Sequence, residues 1–443
     1  TTGNHDPALP LGLVKKNTHF LAADGSRVTR EDSCAGYVSQ MECYTDFGFF
    51  PRKDDCYWES PFTSYTYDKY AYEEACRESV LDKRTYTLCD SLTATDASYL
   101  VEPVDGLWLL AIDGGVYLPK EMKDGKWTYQ GSSAGYNLVL KHKPFLLPWV
   151  RKVVEEARKR HKTLVAFSHY PLVDFNDGVS ESVHRMWGDR RFDLHRVPEA
   201  EVSEAFLQAG LRLHFAGHMH VNDTGIWEGK DGKHLYNIQV PSIATYVPAY
   251  KILTIESDEV FRVETVALDT VPGFDSLFPL YRAEYQSDSL KGHSPVWNKE
   301  ILSARTYGEF CDYQFRDLVR LRFIPRDLPE SWRACLDFTG ARMLKAVSGE
   351  DKANNVNWTG WCMKDLVLDV YRLRYAERLA LKDIPETRLA VYRYLFDRAR
   401  ISTFRSAEVE MVKGLGTLFL AFLNGEPCQN FVIDLEKDTI TGD

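Results

Sequence analysis

The sequence lacks any long hydrophobic run. Its 443 residues are 44% hydrophobic and 27% charged, which is typical of a globular protein, and no stretch approaches the ~20 apolar residues of a membrane span. The most apolar segment, residues 415–423, is far too short. We therefore expect no membrane span. The length predicts two domains, or one domain with a large insertion and a tail.

Positive charge is not concentrated anywhere in the chain. The formal net charge is -10, and the 54 Lys and Arg residues are scattered among 64 Asp and Glu residues instead of forming one stripe. A protein that follows a nucleic-acid backbone needs such a stripe. The sequence therefore argues against bulk nucleic acid as a partner. It does not exclude a small nucleotide as a ligand.

The nine cysteines include no close Cys-x-x-Cys pair, which argues against a zinc ribbon. Their wide spacing in an aromatic-rich region favours disulfides, and hence an oxidising compartment, so we expect a secreted or periplasmic protein. The alternative is that several are buried free thiols. The first group has an odd number, so one of its members must stay free or pair elsewhere. The two groups are Cys34, Cys43, Cys56, Cys76 and Cys89, then Cys311, Cys335, Cys362 and Cys428.

Three apolar runs predict buried strands, at residues 107–112, 163–167 and 211–216. Between them, apolar residues at helical spacing predict amphipathic helices, over 149–157 and 200–208. Strands that alternate with helices are typical of an α/β domain whose site lies on the loops at one edge of the sheet.

Two other regions have a different character. Residues from about 20 to 100 show little periodicity and many aromatic residues, which indicates an insertion; its rings either pack together or cover a substrate cleft. From about residue 285 the apolar residues keep helical spacing, and Pro385 marks the start of one helix. We therefore predict a mainly helical C-terminal domain.

Three short segments place histidines in tight loops: residues 3–6 (Gly-Asn-His-Asp), 168–171 (Ser-His-Tyr-Pro) and 217–220 (Gly-His-Met-His). The last two follow predicted strands, where a rigid scaffold aims imidazole rings at a common point. Neutral imidazole suits Zn, Fe and Mn, and an Asn carbonyl oxygen can complete the coordination shell. A single histidine after a strand is more often structural, which is our interpretation of His214. Three such segments in order predict a metal site.

The spacing of the last segment leaves two geometries open. If His218 and His220 lie in an extended segment, their rings point the same way, because residues two apart share a face. If they lie in a looser loop, they can reach two neighbouring ions.

Together the three segments resemble the second half of the calcineurin-like metallophosphoesterase signature. The resemblance covers roughly residues 1–268, and it implies an α/β fold of two packed mixed β-sheets flanked by helices, with a dinuclear metal centre at their edge. It implies a metallophosphoesterase domain over residues 1–275, without its N-terminal part and with an insertion at about 20–100. The mainly helical domain then covers residues 285–443.

The family's roles assign Asn4, His169 and His218 to one metal and His220 to the other. His5 would lie beside the phosphate as a proton donor or electrostatic stabiliser. Asp6 would orient the ring of His5, with a loop cap as the alternative. The resemblance thus implies a hydrolase with His5 and Asp6 as catalytic residues. Two divalent or trivalent ions of Mn, Fe or Zn would activate water against a small phosphate-ester substrate.

The sequence departs from the family in one respect: no residues supply its first motifs, Asp-x-His and Gly-Asp, which precede the Gly-Asn-His-Asp loop. We expect these motifs on a segment upstream of Thr1 or on an associated fragment. Two alternatives stay open. The protein is a binding or scaffold protein with an incomplete metal centre, or it cleaves phosphodiesters or pyrophosphates instead of monoesters.

Overall fold

A computed structural model describes residues 15–21, 26–34, 41–89, 92–123, 126–129, 135–290, 292, 297–351, 358 and 360–442. The strands, in chain order, are β1 (Lys15–Leu21), β2 (Arg27–Cys34), β3 (Tyr57–Glu59), β4 (Thr85–Cys89), β5 (Leu92–Thr95), β6 (Tyr99–Val104), β7 (Leu107–Ile112), β8 (Pro119–Lys123), β9 (Lys126–Tyr129), β10 (Thr163–Ser168), β11 (Leu213–Ala216), β12 (Asp223–Glu228), β13 (His234–Gln239), β14 (Ala249–Ile255), β15 (Val260–Ala267), β16 (Asn430–Asp434) and β17 (Thr439–Gly442).

The α-helices alternate with these strands in the first part of the chain and then follow one another. In chain order they are α1 (Tyr72–Glu78), α2 (Val139–His142), α3 (Leu146–Lys159), α4 (Ser180–Trp187), α5 (Ala200–Gln208), α6 (Phe278–Leu290), α7 (Tyr307–Leu318), α8 (Ile324–Asp327), α9 (Glu330–Arg333), α10 (Gly340–Ser348), α11 (Met363–Ala376), α12 (Glu386–Ile401) and α13 (Ala407–Leu423).

A seven-stranded mixed sheet forms the centre of the first region, in the order β12-β13-β11-β10-β7-β6-β3. The four strands β13, β11, β10 and β7 are parallel, and the outer strands are antiparallel to their neighbours. Parallel strands are covered on both faces, which explains why their sequences are nearly continuous apolar runs. The three strands predicted from these runs, now β7, β10 and β11, are confirmed.

A second, four-stranded sheet packs against the first. Its order is β14-β15-β16-β17, and every pair in it is antiparallel, so the expectation that both sheets are mixed was wrong for this one. Hairpin connections between β14 and β15 and between β16 and β17 make antiparallel pairing the natural result. The residues that join the two sheets in one apolar cluster are Val165, Leu213, Tyr236, Ile238, Phe261, Val263, Phe431 and Ile433.

The aromatic region at about 20–100 contributes a strand to the central sheet. Its strand β3 pairs with β6, which begins at Tyr99 and pairs in turn with β7. With three residues, β3 is too short to show a period in the sequence. The ring of Tyr57 packs against the rings of Tyr65, Tyr67 and Trp108 of β7, with centroids 4.8–6.3 Å apart. These rings, from Tyr57, Tyr65 and Tyr67, are core packing.

The helices of the second half form a large apolar core of their own that also reaches the first region. Helices α11 and α12 match the predicted periodicity, and Pro385 immediately precedes α12. The core includes Phe175, Met219 and Tyr246 from loops beside the central sheet. Among the described residues, no helix is both long and apolar enough to cross a membrane.

Eight cysteines are free thiols in the structure. Of the first group, these include Cys43, Cys56, Cys76 and Cys89, so the predicted disulfides are not seen among these four, and the compartment stays a prediction. Several thiols lie in the interior, as the alternative interpretation expected. The free cysteines are Cys43, Cys56, Cys76, Cys89, Cys311, Cys335, Cys362 and Cys428.

Candidate functional site

The loops that follow β10 and β11 leave the central sheet side by side. The two strands are parallel, and Ser168 is the partner of Ala216 at their last paired position. The backbone N–H of Gly217 donates to the carbonyl oxygen of His169 at 3.0 Å. Because parallel strands end at the same edge, the two histidine segments predicted from the sequence meet at the carboxyl edge of the sheet.

His169 and His218 are in direct contact at this edge. Nε2 of His169 lies 3.1 Å from Nδ1 of His218, and the ring centroids are 5.0 Å apart. The buried ring of Tyr170 packs against both, with centroids 4.9 Å from His169 and 4.7 Å from His218. This packing restricts the rotation of both imidazoles, so Nε2 of His169 and Nδ1 of His218 stay next to each other.

The segment of residues 217–220 is a tight loop. His218 and His220 have positive φ angles, 63° and 58°, and the N–H of Met219 donates to the carbonyl oxygen of Gly217 at 2.7 Å. The Met219 side chain is buried and anchors the loop, while His220 is exposed. Positive φ is unusual for residues other than glycine. The segment is therefore a loop and not extended, and the reach of its two rings to two ions stays a prediction.

His214 lies behind the pair and has a structural environment, as expected. It is fully buried, with Nδ1 2.8 Å from Oδ1 of Asn237 and Nε2 2.9 Å from Oγ of Ser168. Burial lowers the pKa of His214 to about 4, and the hydrogen bond with Asn237 opposes this shift. His214 is thus a neutral ring that supports the strand end next to His169.

A buried ion-pair cluster secures the loop after β7 at the same edge. Nζ of Lys143 lies 2.8 Å from Oδ2 of Asp96 and 2.9 Å from Oδ2 of Asp113, and all three side chains are inaccessible or nearly so. Burial by itself would lower the pKa of Lys143, but the carboxylates of Asp113 and Asp96 outweigh it and raise that pKa. The three charges compensate one another, so the cluster fixes the loop after β7.

The remaining predicted site residues are not brought together by the described part of the chain. Asn4, His5 and Asp6 lie outside the described residues, so their roles stay predictions. Among the described residues, the pair of His169 and His218 is not joined by a third metal-ligating side chain in one compact group.

A second polar cluster was not predicted from the sequence. It consists of Asp177, Asp223 and Glu377, whose ligand oxygens lie within 4.8 Å of one another. Asp177 lies in the loop after β10, Asp223 begins β12 three residues after His220, and Glu377 directly follows α11. The position of Asp223, shortly after the Gly-His-Met-His segment, was a usable signal. No sequence signal indicated Glu377, because only the packing of the helical region brings it next to the two aspartates.

Burial dominates the electrostatics of this acidic cluster. It raises the pKa of Asp223 to about 7, and it raises the pKa values of Asp177 and Glu377 well above their ordinary range. For Asp177 and Glu377 the negative charge of Asp223 adds to the shift. The buried thiol of Cys428 contacts Glu377, and its pKa is also raised by burial. Burial and mutual repulsion therefore disfavour the ionised form of these carboxyl groups.

Comparison with known proteins does not identify the chain: no family model matches the sequence, and no curated protein matches it. The resemblance to calcineurin-like metallophosphoesterases rests on the three histidine segments alone.

Proposed function

We propose that the protein is a metal-dependent phosphoesterase that hydrolyses a small phosphate ester with water. The observation that carries the proposal is the contact between His169 and His218, at 3.1 Å, on two loops at the carboxyl edge of parallel strands. Ligand sites of open α/β sheets lie at this edge.

The two ring nitrogens fit a shared metal ion. Nitrogen ligands at ~2.1 Å from one ion lie about 3.0–3.4 Å apart, depending on whether they meet at a right angle or a tetrahedral angle. The 3.1 Å between Nε2 of His169 and Nδ1 of His218 falls within this interval. Imidazole ligands favour Zn, Fe or Mn over Mg or Ca. Asn4 would complete the shell of this ion, and the exposed His220 would serve a second ion.

Bound ions of this kind supply Lewis acidity that polarises a phosphate and lowers the pKa of water. The chain's own groups position the reaction around them. His169 and His218 are held by the Tyr170 ring, so their nitrogens stay oriented without substrate. His5 would give a proton to the leaving oxygen or stabilise its charge, and Asp6 would hold the His5 ring in the required tautomer.

Substitution of the two kinds of histidine tests the proposal. His5→Ala should lower turnover by ~10²–10⁴ with nearly unchanged metal content, because His5 acts on the substrate and binds no ion. His218→Ala should lose both metal and activity. The measurements are elemental analysis for Mn, Fe and Zn, and hydrolysis of one phosphomonoester and one phosphodiester by the intact protein.

His184→Ala provides the matched control, because His184 is an exposed histidine on α4. It should keep the wild-type metal content and turnover. Equal metal loss in the His5 and His218 variants would remove the role assigned to His5. An intact protein that binds no transition metal and hydrolyses neither substrate would refute the phosphoesterase and favour a binding or scaffold protein.

A further inference from the structure

The acidic cluster of Asp177, Asp223 and Glu377 joins the two halves of the molecule. The backbone N–H of Asn222 donates to the carbonyl oxygen of Tyr375 at 2.9 Å, which brings the start of β12 against the end of α11. Asp223 and Glu377 follow these two residues and are each 2% exposed. Asp177 is partly exposed, but its Oδ2 is buried.

Each carboxyl group of the cluster has an oxygen without a hydrogen-bond donor among the described residues. These oxygens are Oδ2 of Asp177, Oδ2 of Asp223 and Oε1 of Glu377. Buried polar groups in folded proteins nearly always have partners, and an unpaired buried carboxylate is heavily penalised. The nearby Lys251 donates to Oδ1 of Asn222 and to the carbonyl oxygen of Cys428, at 2.8 and 2.7 Å, and its charge opposes the rise in the pKa of Asp223.

Gln239 gives a second, independent indication of a ligand. It is fully buried, and neither Oε1 nor Nε2 of its amide has a partner among the described residues. Gln239 lies directly opposite Asp223 in the antiparallel pair of β12 and β13. Opposed residues project to the same face, with Cβ atoms about 4.5–5.5 Å apart. The unpaired amide of Gln239 thus projects to the same face of the sheet as the carboxyl group of Asp223.

We propose that Asp177, Asp223, Glu377 and the amide oxygen of Gln239 form a binding site for a hard divalent cation of the Ca²⁺ type, separate from the histidine site. All the donors are oxygens, and Ca²⁺ takes six to eight oxygen ligands from carboxylates, amide carbonyls and water. The ligands come from the loop after β10, from β12 and β13, and from the end of α11. A bound ion therefore ties the helical region to the edge of the central sheet.

Calcium is the probe that separates this site from the proposed catalytic one, because imidazole ligands do not favour Ca²⁺. The full chain is stripped with EDTA, dialysed, and titrated with Ca²⁺ by equilibrium dialysis and by its thermal midpoint. The wild type should bind one Ca²⁺ per chain, with a rise in midpoint. Asp223→Asn and Glu377→Gln should each weaken Ca²⁺ binding by at least ~100-fold, beyond the usual effect of losing a supporting group.

Two controls accompany these variants. Asp231→Asn removes one exposed carboxylate from the turn between β12 and β13, and His218→Ala removes the histidine pair; both should bind Ca²⁺ as the wild type does. If Glu377→Gln or Asp223→Asn fails to fold, the wild-type titration and Gln239→Leu decide. A wild type that binds no Ca²⁺ at millimolar concentration overturns the proposal. The proposal is also overturned if Asp223→Asn and Glu377→Gln bind Ca²⁺ as tightly as the wild type. It is overturned as well if His218→Ala weakens Ca²⁺ binding as much as they do.

Discussion

His214 links the packing of the interior to the behaviour of the protein in acid. Its imidazole is buried in contact with Asn237 and Ser168, and its pKa is lowered to about 4, whereas an exposed histidine has an ordinary value of 6.5. Between these two pH values the unfolded chain binds a proton at this residue that the folded protein does not bind. The free energy of unfolding must therefore fall as the pH falls through this window.

His214→Gln should flatten this acid dependence. The full contribution of His214 is about 3 kcal/mol between pH 6.5 and pH 4, because one pKa unit corresponds to ~1.4 kcal/mol. The variant lacks the titrating group, so its loss of unfolding free energy over the same interval should be smaller by about that amount. Urea denaturation at several pH values measures both slopes. Each protein is compared with itself across pH, which cancels the packing cost of the substitution, so parallel slopes would contradict the assignment.

At the scale of single elements, the sequence predicts the interior best where its pattern is local. The apolar runs of β7, β10 and β11 and the helical spacing of α3, α5, α11 and α12 each lie within one segment, and all were predicted. The pairing of β3 with β6 and of β16 with β15 depends on residues distant in sequence, so no local period indicates it. No local pattern indicates Glu377 either, whereas His169 and His218 follow strands that were predicted from their apolar runs.

Helix α13 shows how close packing overrides helix propensity. It contains Gly414 and Gly416, which by propensity alone weaken a helix by about 1 kcal/mol each relative to alanine. A Cβ at Gly414 would lie 2.4 Å from the Trp332 ring, and one at Gly416 would lie 2.8 Å from the Phe396 ring. Both aromatic side chains are buried, so neither can move away freely. The glycines allow α13 to approach its neighbours closely.

Gly414→Ala should therefore destabilise the protein, by up to ~2 kcal/mol. The expected cost of overpacking is ~1–3 kcal/mol, and the gain in helix propensity offsets ~1 kcal/mol of it. Thr417→Ala is the control, since Thr417 is exposed one turn away on the same helix and alanine is the better helix former. It should be neutral or slightly stabilising. Chemical denaturation measures both, and a stabilising Gly414→Ala would show that the Trp332 ring yields to the methyl group.

At the scale of the whole molecule, the end of the chain returns to the first region. The helices up to α13 build the helical core, and β16 then pairs with β15 in the second sheet. The helical core also includes Phe175 and Met219, which belong to the loops that follow β10 and β11. The division into domains at residues 275 and 285 stays a prediction. Contacts of this extent argue that the two regions stabilise each other.

Ile433→Ala tests this mutual stabilisation. Ile433 of β16 is fully buried in the cluster between the two sheets, so its truncation should lower the free energy of unfolding by about 2–5 kcal/mol. If the regions unfold together, the whole loss appears in one transition, and hydrogen exchange of the slowest amides in α12 should accelerate as much as in β10. The control Ile243→Ala removes an exposed isoleucine and should change stability by no more than ~0.5 kcal/mol. Two separate transitions, with α12 protected as in the wild type, would show instead that the helical region folds on its own and that β16 is only a tether. If both regions lose the same unfolding free energy in one transition, the stability of the sheet edge that bears His169 and His218 depends on residues more than two hundred positions away in the sequence.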